Sequence, residues 1–212
     1  MNKCDKITTD RVRQIFSNYK PVGEMDFRHF AVLVPIVEGP DGPEVLYEVR
    51  AHDMDRQPGE VCFPGGMIEP DESPLECALR ETEEEIGIPA SDIDILGELS
   101  AVHMIAGSRI YCFVGAVSES GMKKLTLNPD EVAEVFTVGL DKIMATKAEV
   151  YSSIMTQVVD EKFPYERVTG RASYPWRNKE VPVPVYFIDD RIIWGMTGRM
   201  TMELAEVLEC LE

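Results

Sequence analysis

The chain has 212 residues, 21 of them Lys or Arg and 38 Asp or Glu, which sets a formal charge of −17 at pH 7. A hydrophobic share of 44% excludes a disordered chain, because that much apolar surface offsets the entropy of ordering, and the length suits one domain spanning residues 1–212. The acidity excludes bulk electrostatic attraction to a nucleic-acid backbone or an anionic membrane, so a polyanionic substrate requires a local basic patch or a bound cation.

In chain order, residues 1–27 read as an N-terminal helical extension. Thr8 or Thr9 caps a short helix to about Asn18, with Val12, Ile15 and Phe16 on one face. The apolar run Phe30–Val37, the turn-rich Gly39–Pro43 and the run Val45–Arg50 predict a β-hairpin. Residues 51–73 are polar and rich in Gly and Pro, which predicts a long functional loop. A helix follows over Pro74–Ile86, with Ser73 as N-cap, Pro74 at its first position and Gly87 as C-terminal cap. Leu75, Ala78, Leu79, Thr82 and Ile86 form its apolar face.

Strand-like runs come next at 93–102, 110–117, 135–138, 150–159 and 185–193. A last helix over about 198–211 is expected to bury Leu204, Val207, Leu208 and Leu211 and to expose Glu203, Glu206, Glu209 and Glu212. Strands and helices are mixed without strict alternation, which predicts an α+β fold, an α/β/α sandwich around a mixed sheet. The five cysteines are odd in number and lack a Cys-x-x-Cys pair, a pattern of free thiols rather than disulfides or structural zinc. No apolar run approaches the ~18 residues of a membrane span, and the amino terminus lacks a signal-peptide core. These features predict a soluble cytoplasmic protein.

The chemistry concentrates between Gly66 and Ile88. On a helix, Glu81, Glu84 and Glu85 share one face at i, i+3 and i+4, and like charges that close destabilise the helix unless a cation lies between them. Hard divalent cations take oxygen ligands and relieve that repulsion. Glu72 lies in the preceding loop and can fold back onto the same face, Arg80 can orient a carboxylate, and Glu83 points away. The alternative is a solvated acidic helix, the ordinary fate of a charge run.

This segment resembles the Nudix hydrolase signature, G-x5-E-x7-R-E-U-x-E-E-x-G-U with U a bulky aliphatic. Gly66, Glu72, Arg80, Glu81, Glu84, Glu85, Gly87 and Ile88 match, and Thr82 replaces the first aliphatic. A chance match has a probability on the order of 10⁻⁵ to 10⁻⁶ by composition. The resemblance implies a loop–helix–loop that binds Mg²⁺ or Mn²⁺ and hydrolyses a nucleoside diphosphate linked to another moiety. Carried over by position, it implies Glu81, Glu84 and Glu85 as metal ligands, Glu72 as a further ligand or an aid to water activation, Gly65 as a further ligand, and Arg80 as the residue that positions Glu81. It also implies a loop glutamate as base or extra ligand, which Glu131 and Glu134 fill equally well.

The preceding stretch, Arg50-Ala51 through Arg56 and Gly59 to Phe63-Pro64-Gly65-Gly66, resembles the added signature of coenzyme A pyrophosphatases within that family. It departs at Leu46-Tyr47-Glu48, where the pattern has Leu-Leu-Thr, and Arg56 is one residue late. The implied substrate is coenzyme A or an acyl-CoA, cut to 3′,5′-ADP and a 4′-phosphopantetheine product. Arg50 and Arg56, joined by Arg28, then bind phosphate, with Gly65 and Gly66 lining the site; alternatively these arginines pair with Asp53, Asp55 or Glu60. Phe63 packs beneath the glycine loop or stacks on adenine. Trp194 is expected in the core. His29, His52 and His103 lack metal-ligand spacing, and Cys62 and Cys77 sit among packing residues. Rival substrates are ADP-ribose, a dinucleotide or an oxidised nucleoside triphosphate, and a rival class is a non-catalytic ligand sensor.

Overall fold

Alternating burial along one central strand builds both sides of the sheet that carries the site. The computed structural model describes residues 8–18, 28–104 and 107–210. Its elements are α1 (Thr9–Asn18), β1 (Arg28–Gly39), β2 (Gly42–Arg50), β3 (Val61–Cys62), β4 (Gly65–Met67) and α2 (Pro74–Ile86). After a 3₁₀ turn at Ala90–Asp92 come β5 (Ile93–Met104), β6 (Ser108–Val117), α3 (Glu119–Met122), β7 (Val132–Gly139) and α4 (Leu140–Ala145). The chain ends through β8 (Glu149–Met155), α5 (Tyr165–Thr169), β9 (Lys179–Ile188), β10 (Arg191–Trp194) and α6 (Gly195–Glu209).

Seven strands form one mixed sheet in the order β3-β2-β1-β6-β5, with β4 pairing β1 and β7 pairing β2. The β1–β6 pair is parallel and the others are antiparallel. Along β1, Ala31 and Leu33 pack with Cys77 and Ala78 of α2, whereas Val34 joins Tyr47, Met200 and Leu204 in the cluster that includes α6. Successive residues of a strand point to opposite faces, so one apolar run serves two layers. The sheet is thus covered by α2 on one face and by α6 on the other, the α+β arrangement predicted. A second, antiparallel sheet has the order β10-β9-β8. No described helix is long and apolar enough to cross a membrane.

The predicted hairpin is present: Gly39 faces Gly42 across the turn, and Gly42 takes φ 135°, a conformation that favours glycine. The predicted loop at 51–73 contains β3 and β4, strands too short for periodicity to reveal. The run expected at 185–193 is a hairpin, β9 and β10, turning at Asp189, whose φ is 55°. The strand expected to reach residue 159 ends at Met155, and α6 starts at Gly195. Val207 is exposed and Glu203 half-buried, because the Glu203 carboxylate accepts the Ser100 backbone N–H at 2.7 Å and is drawn toward β5. Leu211, Glu212, Cys4 and the Ile15 side chain lie outside the described residues. Cys62, Cys77, Cys112 and Cys210 are free thiols.

Candidate active site

Helix α2 is fixed at both ends and along its buried face, and this sets where its glutamates point. Ser73 Oγ accepts the Glu76 N–H at 3.3 Å while Glu76 Oε2 accepts the Ser73 N–H at 2.7 Å, a complete capping box. Pro74 begins the helix and Gly87, at φ 74°, ends it. Cys77, Ala78, Thr82 and Ile86 are buried. Thr82 fills an apolar position because its hydroxyl donates to the Ala78 carbonyl at 2.7 Å, which removes the cost of an unpaired buried hydroxyl. With the rotation so fixed, Glu85 is buried, Glu81 half-buried, and Glu83 and Glu84 exposed.

Arg80 gathers the acids around it. Its Nε and Nη2 donate to the two oxygens of Glu72 at 3.1 and 2.9 Å, and Nη1 donates to Glu81 and to Glu84 at 2.9 Å each. The Arg80 hydrogen bond, reinforced by the Glu69 N–H at 2.7 Å, pulls the Glu72 carboxyl down to about 2. Burial pushes Glu81 upward against the opposing pull of Arg80. Gly66 leaves room for this arrangement: a Cβ there would overlap the Glu81 carboxyl, with Oε2 the farthest of its three atoms at 2.6 Å.

Glu85 lies deeper, where Oε2 accepts the Gly65 N–H at 2.8 Å. Burial, then the charge of Glu48, pushes its carboxyl up to about 9. Glu48, on β2 and only 1% exposed, is pushed up to about 7 by burial, with Cys62 and Arg50 opposing and Glu131 and Glu81 adding to the rise. In the sequence Glu48 stands only as a departure from the added motif. An acid within the run Val45-Leu46-Tyr47-Glu48-Val49 is itself the signal, since buried acids occur where something pairs with them.

Among the described residues, no three His, Cys, Asp or Glu side chains converge as a ready metal cluster. Glu72, Glu81 and Glu84 each bind the Arg80 guanidinium while Glu85 accepts the Gly65 N–H, so the four expected ligands do not form one coordination sphere here. Gly65 presents its N–H to Glu85 here. The donors nonetheless fit a hard divalent cation: they are carboxylate oxygens, Glu85 among them is buried, and beside it Glu48 Oε2 is buried with no hydrogen-bond partner among the described residues.

Glu131 and Glu134 separate clearly. Glu131 accepts from Asn128 Nδ2 at 3.1 Å, and its charge acts on Glu48, Glu81 and Glu85. Glu134 forms a two-pronged ion pair with Arg191, which lowers its carboxyl below the usual range and holds it apart from the cluster.

A cavity of about 940 Å³ runs beside Gly65 and Gly66 and is also lined by Arg28, Arg50 and Arg56. None of the three arginines forms an ion pair among the described residues; the anticipated pairing with Asp53, Asp55 or Glu60 is absent there. Phe63 touches the cavity but is buried and stacked on Tyr47 with centroids 4.9 Å apart. Tyr47 is held by Thr201 of α6 at 3.1 Å. Trp194, expected in the core, is 43% exposed and lines the cavity with Met104, Met196 and Met200. It sits at the end of β10, where alternation turns it away from buried Ile193.

The sequence pattern of the NUDIX domain matches residues 27–158. Nudix hydrolase 3 of Caenorhabditis elegans is 40% identical over 180 residues, which are 84% of this chain and 72% of that protein. The Nudix hydrolase NudL of Pectobacterium atrosepticum, described as uncharacterized, is 36% identical over 193 residues, 91% of this chain and 88% of that protein. Among solved structures, a MutT/nudix family protein from Enterococcus faecalis superposes with a TM-score of 0.51 at 14% identity, covering 97% of this chain and 71% of that one. That last likeness concerns the fold alone.

Proposed function

Because this chain belongs to the Nudix hydrolase family, we propose that it hydrolyses the diphosphate bond of coenzyme A or an acyl-CoA, releasing 3′,5′-ADP and 4′-phosphopantetheine or its acyl form. Family membership makes it a pyrophosphohydrolase of nucleoside diphosphate derivatives that uses a divalent metal ion. The coenzyme A reading is carried by one observation: three arginines that form no ion pair among the described residues share a cavity with the glycine edge of the glutamate site.

In this reading Mg²⁺ or Mn²⁺ is held by Glu81, Glu84 and Glu85, with Glu72 and Gly65 contributing further. The bound ion supplies neutralisation of the diphosphate charge and a lowered pKa for water. Arg80 holds Glu72 and Glu81 in place, and Glu131 is positioned to take up a proton because it faces the acids rather than a basic partner. Arg28, Arg50 and Arg56 bind the phosphate borne on the ribose. The apolar end at Met104, Trp194, Met196 and Met200 receives the less polar arm of the substrate. The chain is read as one domain over residues 1–212 with 66–88 as its catalytic segment, and a cytoplasmic location suits its free thiols.

Hydrolysis of coenzyme A, 3′-dephospho-coenzyme A, ADP-ribose, NADH and nucleoside triphosphates, each with Mg²⁺ and Mn²⁺, tests this. A phosphate held by charge-assisted contacts worth about 1.5–3 kcal/mol predicts that kcat/KM for coenzyme A exceeds that for the dephospho form by roughly 10- to 100-fold. Equal values for the two, or a higher kcat/KM for ADP-ribose, would refute the coenzyme A assignment and leave the pyrophosphohydrolase chemistry standing.

A further inference from the structure

We infer that Glu48 is a ligand of the divalent cation, supplied to the centre by strand β2 rather than by helix α2 or its flanking loops. This rests on reading the acidic cluster as a metal centre and adds a residue that the helix motif does not contain.

Glu48 cannot reach water. It is 1% exposed, and its strand is paired on both sides at that residue, to Cys62 of β3 and to Val135 of β7. One carboxylate oxygen, Oε1, accepts the Cys62 thiol at 3.1 Å, a weak donor. The other, Oε2, is buried with no hydrogen-bond partner among the described residues.

The charges around it make the need for a cation sharper. Glu48 is the strongest charged neighbour of Glu85, and Glu131 and Glu81 also act on it. A base that acts on Glu48 is Arg50, whose Nε is turned to the Arg56 carbonyl at 3.4 Å. An ionised carboxylate in such a place is stable only when paired or coordinated. A hard cation accepts the free oxygen of Glu48 and relieves its repulsion with Glu85 in one contact. The alternative, a proton shared between the two acids, predicts the opposite result below.

The test is binding of Mn²⁺ alone, followed by calorimetry and by the electron paramagnetic resonance signal of the free ion, in the full chain and in Glu48→Gln, Glu85→Gln, Glu81→Gln and the exposed control Glu83→Gln. Glu48→Gln is expected to weaken Mn²⁺ binding by about 10- to 100-fold, in line with losses on disturbing a metal site, or to remove one equivalent. Its melting temperature without metal should not fall, since the neutral amide keeps an acceptor for the Cys62 thiol and has no charge to bury as pH rises, and the rise on adding Mn²⁺ should shrink. Wild-type affinity and stoichiometry in Glu48→Gln overturn the assignment. If Glu85→Gln and Glu81→Gln lose binding while Glu48→Gln keeps it, only Glu48 is excluded; if all three bind as the parent does, the metal centre falls with it. Should Glu48→Gln fail to fold, Glu48→Asp decides: it keeps the charge but withdraws it by one methylene, so undiminished Mn²⁺ affinity there also overturns the inference.

Discussion

Gly66→Ala separates positioning from stability at the site. A Cβ on Gly66 would lie within 2.6 Å of all three Glu81 carboxyl atoms, whereas ordinary contact begins near 3.4 Å. The Glu81 carboxylate must then move by roughly 1 Å, a displacement that typically costs about 10²-fold in rate. That loss corresponds to about 3 kcal/mol of transition-state stabilisation. The stability change should be far smaller. Moving Glu81 weakens its bond to Arg80, a half-buried pair worth about 1 kcal/mol at most. Gly→Ala returns about 0.4–1 kcal/mol by restricting the unfolded chain. The melting temperature should accordingly stay within about 2–4 °C of the parent, the shift that 1 kcal/mol produces in a domain of this size. Initial rates of diphosphate hydrolysis alongside thermal denaturation measure both. Parental turnover in Gly66→Ala would refute the claim that Glu81 must sit against Gly66, and a large fall in melting temperature would show the glycine to be structural.

Arg80→Ala should lower the melting temperature of the metal-free protein by about 4–10 °C. It removes two half-buried contacts of about 1 kcal/mol each and one exposed i,i+4 pair of about 0.3–0.5 kcal/mol, at about 2–4 °C per kcal/mol; an unchanged value would show that the clamp contributes nothing. Without metal, stability should fall as pH rises from about 4.5 to about 9, because Glu48 and Glu85 hold protons in the folded state that the unfolded chain has released. Added Mn²⁺ should flatten that decline, and a metal-free stability that rises across the window would contradict the buried-acid reading. At the acid end the sign reverses for Glu72, whose folded value near 2 stabilises the protein above about 4.5 and ceases to do so as pH drops toward 2. Glu131→Gln should reduce kcat by about 10²–10⁴-fold if Glu131 is the base, whereas Glu134→Gln should leave kcat intact and weaken only the contact with Arg191; the reverse pattern in steady-state kinetics would exchange their roles.

The helix with the glutamates was legible because its signals are local. Ser73, Pro74, Glu76 and Gly87 lie within a few residues of the turns they cap, and the spacing of Glu81, Glu84 and Glu85 converts directly to an angle. The strands β3 and β4 were not legible, since two or three residues cannot display a period. The inward turn of Glu48 and the outward turn of Trp194 depend on which strands pair, through contacts distant in sequence. The same holds for Glu131 and Glu134. Three residues apart, Glu131 just before β7 and Glu134 within it, they divide because Arg191, 57 positions beyond Glu134, claims the second.

The charge of the chain acquires its meaning from this arrangement. Residues 66–88 alone carry −7 of the −17, and Glu48 and Glu131 add to the same region from other elements. Such a field would repel a diphosphate, and at short range in a partly buried site it is weakly screened by salt. Yet the cavity beside it is lined by Arg28, Arg50 and Arg56 with no acid of the described residues paired to them. A polyanion can therefore be held at the basic wall with its reacting bridge directed toward the acids only when cations stand between bridge and acids. If the acids that flank Gly65 and Gly66 hold the metal while the arginines line the adjoining cavity, substrate entry is tied to metal occupancy. Affinity for a diphosphate ester should fall when the metal is removed, while affinity for a simple ribose phosphate, which needs only the arginine wall, should change little. Equal metal dependence for both ligands in a binding titration would mean that the two walls do not act separately.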